Sequence, residues 1–564
     1  MISRKLNLSV SKIIPLIVRF MRYQFTPVFA IVVAHNLVIK PHQTSGKKIV
    51  MTGSDNSINR REMLKQGIAA GFGVAAPSLF SLSGEKMTVT GLPSEYDKYD
   101  ALGLAGLIEK KQITPAELLN AVRQRVETIN PKLNAFCHLF FDKAEEQIKN
   151  GLGDGPFRGV PFALKDIGQY MKGTITSSGG RVWKDQVADY DSTLVTRYKR
   201  AGLVIFGKTA SPELGLTTTT ESVLYGQTRN PWNLERTSGG SSGGASSVVA
   251  SRILPMAHGS DGGGSIRIPA SCCGLFGLKP TRGRVPMGPA QFEGWNGLSV
   301  HHALTISVRD SAALLDVSSG VELGSPYYPP PQQRPFLKEV GADPGKLRIA
   351  LIADSPAGTP VEPECKNAAT EAAKLCESLG HKVEEAKWPI DAAMMRGAFL
   401  TIINVSVARA LDDGAKPLGR EVTDKDVEPV TWSMAQQGRN VSSVAYSRAI
   451  ATVHQVGLMV AKFQQTYDVI LNPTLGKPPV PLGLLSLTPK DMQTFTKEIT
   501  EFSPFTAVYN VTGQPSMSAP LHWTPDGLPV GVMFSARFGD EATLFRLAAQ
   551  LEKAQPWAER RPKI

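Results

Sequence analysis

The chain has 564 residues, 42% hydrophobic and 20% charged, which is enough apolar mass for one large or two ordinary cores and excludes a disordered or fibrous protein. The formal charge of +12 is concentrated at the start: residues 1–65 carry eleven Lys and Arg against Asp55 and Glu62, a balance of +9. The remaining +3 is spread over the rest of the chain, so no basic groove for nucleic acid is indicated.

Near the N-terminus, Arg60 and Arg61 lead into Met63, Leu64 and Lys65 and then an apolar, Gly- and Ala-rich stretch, a pattern similar to a twin-arginine export signal. Val74, Ala75 and Ala76 offer the small residues that a signal peptidase needs. Met51 would place the Arg pair about ten residues into the chain, where such signals stand. The expectation is a signal over 51–88, with residues 1–50 a non-native extension or a weak anchor. The apolar run at 23–39 is short for a span, flanked or broken by Arg19, Arg22 and His35. Residues 89–560 are then expected to form a single domain without a membrane span, in the periplasm or secreted, with a cytoplasmic location as the alternative. Cys137, Cys272, Cys273, Cys365 and Cys376 form no C-x-x-C pair, so neither a disulfide framework nor a zinc site is suggested.

From Asp100, "DALGLAGLIEKKQITPAELLNAVRQRVETIN" reads as two helices separated at residues 112–114. Thr114 caps the second, Pro115 suits its first turn, Glu117 completes a capping box, and Pro131 ends it. Short apolar runs then alternate with helices: "RGVPFALKDIG" is a strand, "DSTLVTRYKRAG" a helix closed by Gly202, and "LVIFGKT" a strand. Beyond a Pro-rich segment, "KLRIALIAD", "EPECKNAATEAAKLCESLG" and "HKVEEAKW" repeat strand, helix, strand. A half-buried strand at 530–536 and an amphipathic helix from Asp540 close the core. The alternation indicates an α/β fold.

Between these elements lies "TSGGSSGGASSVVAS", residues 237–251. It runs into a helix-like segment without a change of composition, unlike a linker, and no Lys follows its glycines, unlike a phosphate loop. Gly239-Gly240-Ser241-Ser242-Gly243 fits the G-x-S-x-G nucleophile elbow of an esterase-like α/β-hydrolase, but the preceding "RNPWNLERTS" reads as a loop, not a buried strand. A second cluster, "HGSDGGGSIRIPASCCGLFGLKPTRG", places Ser265 after three glycines. The N–H groups of Gly262, Gly263, Gly264 and Ser265 are unobstructed there and can converge on an oxyanion. Lys165, at a strand end, is a credible base if burial keeps it neutral.

These two clusters, with "N-x-TG-x-P…GLPVG" near the C-terminus, resemble the amidase signature family from about residue 100 to 552. The resemblance implies a large mixed β-sheet covered by helices on both faces. It assigns Ser265 as nucleophile, Ser241 as a bridging serine in a cis peptide, and Lys165 as base. It implies bracing of the nucleophile loop by Asp261 and Arg267, an oxyanion hole at Gly262, Gly263 and Gly264, and substrate contacts from variable segments near 390–450. No metal or organic cofactor is implied, and the expected partner is a small-molecule amide, with a homodimer left open. Cys272 and Cys273 are expected to pack as small hydrophobes, and His258, His301 and His302 as ordinary hydrogen-bonded histidines. Ser242 remains an alternative relay on the residues alone. Position 262 is Gly where many members carry a side chain, and the segments around His258 and 292–316 look most like the branch of 6-aminohexanoate cyclic-dimer hydrolases. Alternatives are a glutamine-hydrolysing amidotransferase subunit, the esterase above, and a silent binding protein on the same fold.

Overall fold

The computed structural model describes residues 96–564; the proposed signal, start codon and anchor lie outside the described residues. Helix α1 (Ala101–Glu109) is capped by Asp100, whose side chain accepts from the Gly103 N–H. Helix α2 (Pro115–Leu133) starts with the expected Thr114–Glu117 capping box. It does not stop at Pro131, which lies inside its last turn, and it closes on Asn134 in a left-handed conformation. A proline there orphans only the carbonyl four residues back, which belongs to the exposed Glu127.

Strand β1 (Phe136–Leu139), helix α3 (Phe141–Asn150), strand β2 (Pro161–Lys165), helix α4 (Thr193–Arg200) and strand β3 (Val204–Thr209) follow. They make a three-stranded sheet of order β1-β3-β2, with β2 parallel to β3. Every residue of β2 and β3 is buried, including Lys165 and Lys208. Gly202, at positive φ, closes α4 as expected.

Two short ladders come next: β4 (Glu221–Ser222) with β5 (Gly226–Gln227), and β6 (Arg229–Asn230) with β7 (Asn233–Thr237). The stretch read as a loop is therefore a hairpin, but a surface one, since Asn233 and Glu235 are exposed. The glycine-serine stretch becomes helix α5 (Gly243–Ala250), all eight residues of which are buried. Its composition reflects close packing: it touches β2 and β3 on one side and strands β8 (Met256–Asp261) and β10 (Val300–Thr305) on the other.

After helix α6 (Arg267–Cys273), strand β9 (Phe276–Lys279) and helix α7 (Val308–Ser318), the chain builds the other half of the core. Strand β11 (Arg348–Leu351), helix α8 (Pro363–Ser378) and strand β12 (Lys382–Glu385) lead to helices α9 (Ala392–Leu418), α10 (Pro429–Arg439) and α11 (Ser443–Phe463). Strand β13 (Val469–Pro473), helices α12 (Met492–Phe502) and α13 (Ala507–Thr512), strands β14 (Ser516–Trp523) and β15 (Pro529–Ala536) and helix α14 (Glu541–Ala554) complete it. The eight-stranded sheet has the order β12-β11-β13-β15-β14-β9-β10-β8, parallel over β12-β11-β13 and antiparallel beyond. All eight residues of β15 are buried, so the strand expected to be half-buried is central and covered on both faces. By length and composition α9 could cross a membrane, yet Met395, Ala398, Ile402 and Leu411 are buried and it packs on α10 and α11.

The last helix is held to the sheet by a buried pair. Glu541, its first residue, accepts from the Thr281 N–H at 2.9 Å and from Arg284 Nε and Nη2 at 3.0 and 2.9 Å. Burial alone would raise its pKa, but Arg284 and Thr281 outweigh that and hold the carboxyl below the usual glutamate range. Its stabilisation is present above the unfolded-state pKa and is lost as pH falls through the folded one. Glu541→Ala, which strands the Arg284 charge, is expected to cost about 3–5 kcal/mol in urea unfolding near neutral pH.

Candidate active site

Lys165 is the last residue of β2, and β2 lies alongside β8 without a backbone ladder between them. A side chain bridges the seam: the Lys165 N–H donates to His258 Nδ1 on β8 at 3.0 Å. An amide can only donate, so His258 Nδ1 accepts and its proton sits on Nε2. That proton goes to His301 Nδ1 at 3.1 Å, which leaves His301 with an Nε2–H that has no protein partner among the described residues. Burial, reinforced by Lys165, pushes His301 down to about 3 and His258 well below the usual histidine range. The three histidines are neutral structural groups; among the described residues none bonds Ser241 or Ser265. His302 Nε2 meets Ser311 Oγ at 2.8 Å instead.

Inside the seam, Lys165 Nζ donates to Ser241 Oγ at 2.8 Å and to Ser260 Oγ at 3.0 Å. The Gly240–Ser241 peptide is cis. Ser242 goes elsewhere, donating from Oγ to the Ser260 carbonyl and accepting from the Ser260 N–H, so the geometry separates the two serines that the residues alone left equivalent. Burial brings Lys165 down to about 7, with Asp261 pulling the other way. Its amine is thus substantially neutral near physiological pH. Ser260 escaped the sequence reading; its alternation with Asp261 on β8, next to a lysine that needs a second partner, was the available signal.

Ser265 stands between β8 and α6 and lines the same cavity as Ser241 and Ser260. The loop that carries it is shaped by Asp261. Oδ1 accepts from the Gly264 N–H at 2.8 Å and Oδ2 from the Ile266 N–H at 3.1 Å. Arg267 clamps both oxygens through Nε and Nη2 at 3.0 and 2.8 Å, and its Nη1 reaches the Thr506 carbonyl at 2.8 Å. Asn510 on α13 accepts from Arg267 and donates to Asp261. Although burial opposes it, this partnership holds Asp261 down at about 2, so it is an anion at any working pH.

One consequence corrects the expected oxyanion set. The Gly264 N–H is occupied by Asp261, so it is removed from the set; the N–H groups of Gly262, Gly263 and Ser265 have no protein acceptor among the described residues. Gly264 has a different necessity: at φ +135° a Cβ there would lie 2.3 Å from Thr506 Oγ1. The Thr506 hydroxyl in turn donates to the Gly263 carbonyl at 2.6 Å, which turns the Gly263 peptide.

The amidase family's sequence profile matches residues 117–545. The chain belongs to the amidase family. It is 38% identical over 480 residues to the 6-aminohexanoate-cyclic-dimer hydrolase of Paenarthrobacter ureafaciens, a match covering 82% of this chain and 96% of that protein. The solved structure of a 6-aminohexanoate cyclic dimer hydrolase complexed with substrate matches with a TM-score of 0.79 at 36% identity, over 83% of this chain and 99% of that one. A bacterial aryl acylamidase of the amidase signature family matches with a TM-score of 0.74 at 26% identity, over 82% and 97% of the two chains. The α/β fold with its mixed eight-stranded sheet is that of the family.

In this amidase the elbow reading of the glycine-serine stretch loses its support: the strand before Ser241 is a surface hairpin, and the partner of Ser241 is a lysine, not a histidine. Cys272 and Cys273 are fully buried, and burial raises both thiols, so they are packing groups. Segment 390–450 does reach the site, mainly through α9, which contributes Ser406 and Arg409 to the cavity. Arg267→Met leaves the Asp261 carboxylate buried without its main partner, so a stability loss of about 3–5 kcal/mol is expected in denaturant unfolding. Activity at temperatures where the variant stays folded should fall as well, because the Ser265 loop loses its clamp.

Proposed function

We propose that this amidase hydrolyses a carboxamide through an acyl-enzyme on Ser265, with Ser241 as proton relay and Lys165 as base. The observation that carries this reading is a fully buried lysine, lowered to about 7, 2.8 Å from a serine hydroxyl on the floor of the cavity that Ser265 lines. With Lys165 neutral, the same contact runs in reverse: the Ser241 hydroxyl donates to the amine lone pair, and Ser265 passes its proton to Ser241 as Oγ attacks the carbonyl carbon. The oxyanion is received by the free N–H groups of Gly262, Gly263 and Ser265, whose loop Asp261 and Arg267 hold in place. The proton returns through Ser241 to the leaving nitrogen, the C–N bond breaks, and an amine departs. Water then attacks the acyl-Ser265 ester by the same relay, releasing a carboxylic acid and restoring the serine. Ser260 occupies one of the Lys165 N–H bonds and keeps the lone pair turned to Ser241.

The substrate class follows from the relatives: a hydrolase named for a cyclic amide dimer and an aryl acylamidase both act on carbon–nitrogen bonds of small molecules. Export through the twin-arginine route is also part of this proposal, supported by Arg60-Arg61 and the apolar stretch behind them; fractionation of cells expressing the full chain tests it.

Ser265→Ala is expected to lower kcat by roughly 10⁴-fold or more on any amide substrate, and rapid turnover by that variant would move the nucleophile elsewhere. For the wild type, kcat/KM should rise with pH through about 7 as Lys165 loses its proton, then level off. Lys165→Ala should cost roughly 10²–10⁴-fold and remove that limb.

A further inference from the structure

Three consecutive glycines precede Ser265, and they are glycines for different reasons. Gly264 holds φ +135°, which a side chain resists. Gly262 and Gly263 lie outside the left-handed region, so neither needs to be glycine for its φ. What excludes a side chain there is space. A Cβ on Gly262 would lie 2.6 and 2.7 Å from Cζ3 and Cε3 of the Trp295 indole, and a Cβ on Gly263 would lie 3.1 Å from Cζ of Phe399. Trp295, Gly262 and Ser265 line one cavity and Phe399, Gly263 and Ser265 an adjoining one, so each ring meets its glycine beside the nucleophile.

Both rings are themselves held. Trp295 and Asn296 have φ of 50° and 53°, in a turn closed by the Leu298 N–H on the Trp295 carbonyl and the Ser299 N–H on the Gly294 carbonyl. A bulky residue keeps such a conformation only where its surroundings enforce it. Here Arg282 Nε donates to the Gly297 carbonyl at 2.6 Å, and Asn510 Nδ2 to the Leu298 carbonyl at 3.1 Å. Asn510 also donates to the Asp261 carboxylate, so the turn bearing Trp295 and the loop bearing Ser265 share one anchor. Phe399, on α9, packs with Trp295 against the apolar clusters that contain Ile402 and Ile403.

The hydrogen bonds of the loop leave a gap that the rings fill. Asp261 fixes the N–H groups of Gly264 and Ile266, and Thr506 fixes the Gly263 carbonyl. Among the described residues, no protein acceptor holds the N–H of Gly262 or Gly263. A donor stabilises an oxyanion best when it is aimed before the charge develops, since turning it during the reaction costs part of the gain. We propose that Trp295 and Phe399 are positioning residues of the oxyanion hole: their rings bear on Gly262 and Gly263 and fix the direction of the two free N–H groups. The inference rests on the acyl-enzyme reading above, in which those groups receive the oxyanion. Because the rings act through donors that matter most in the transition state, their loss falls on kcat more than on KM.

Rescue between paired substitutions tests this, with 4-nitroacetanilide, hexanamide and the 6-aminohexanoate cyclic dimer as amide probes and each variant assayed where its far-ultraviolet circular dichroism matches the wild type. Trp295→Gly removes the indole yet suits φ 50°, so the turn is retained. Its kcat should fall about tenfold, with KM less changed. Gly262→Ala in the wild-type background should lower kcat roughly 10²–10³-fold, because the new methyl drives the donor away from the indole. Added to Trp295→Gly, the same substitution should cost less than about threefold, so the double variant turns over faster than Gly262→Ala alone. Gly263→Ala should be the milder change, and Phe399→Leu should relieve it; no relief overturns the part assigned to Phe399. Equal losses from Gly262→Ala in both backgrounds, or a Trp295→Gly enzyme altered in KM alone, overturn the part assigned to Trp295 and leave the acyl-enzyme reading standing. An unaltered kcat in Gly262→Ala removes the oxyanion from that N–H, and this inference with it. Absence of amine release by the wild type from all the probes overturns the acyl-enzyme reading as well.

Discussion

The Asp261 carboxylate and the Arg267 guanidinium, six residues apart and both fully buried, are the interaction on which the site depends. A buried ion pair is a poor source of net stability, because two desolvated charges roughly cancel what they gain from each other. Its value here is conformational. Four backbone or side-chain donors besides the guanidinium converge on one carboxylate, so the loop from 261 to 267 has a single low-energy course. That course presents Ser265 to the cavity and leaves three neighbouring N–H groups without a protein acceptor. The same guanidinium reaches Thr506 and Asn510, which ties the loop to α13, far away in the chain.

Much of the architecture is readable from local chemistry. The Thr114–Glu117 box, the apolar run ending in Lys165, Gly202 after α4 and Asp540 before the last helix each act within a few residues, and each stands where the pattern puts it. What escaped depends on distance or on solvent. Pro131 is a helix breaker only where the orphaned carbonyl cannot reach water. Strand β15 alternates weakly because both of its faces are buried, with α6, α8 and α14 packed against it, a matter of layering that no window of sequence contains. Helices α9 to α11 carry broad apolar faces without a sharp motif, and α9, with Met434 of α10, builds walls of the site.

The residues proposed for catalysis follow the same division. Lys165, Ser241 and Ser265 stand out because glycines and a lysine in an apolar run are unusual neighbours, and the family resemblance orders their roles. The hydrogen-bond ledger around them did not stand out: Gly264 spends its N–H on Asp261, Ser242 serves β8, and Ser260 shares Lys165. Each of these depends on which of several equivalent donors a three-dimensional partner selects. The glycine-serine stretch is the clearest instance, since its small residues serve the burial of α5 as much as the chemistry of Ser241.

The seam between β2 and β8 gives the site an unusual mechanical character. Lys165 belongs to the three-stranded sheet, whereas Ser260 and the Asp261 loop belong to the eight-stranded one, and no ladder of backbone bonds joins them. The bonds from Lys165 to Ser260 and His258 therefore double as fasteners between two halves of the core. Any motion that parts the sheets pulls Lys165 from Ser260 and His258 before it disturbs either sheet internally, so the surroundings of the buried amine also register how closely the two halves are joined.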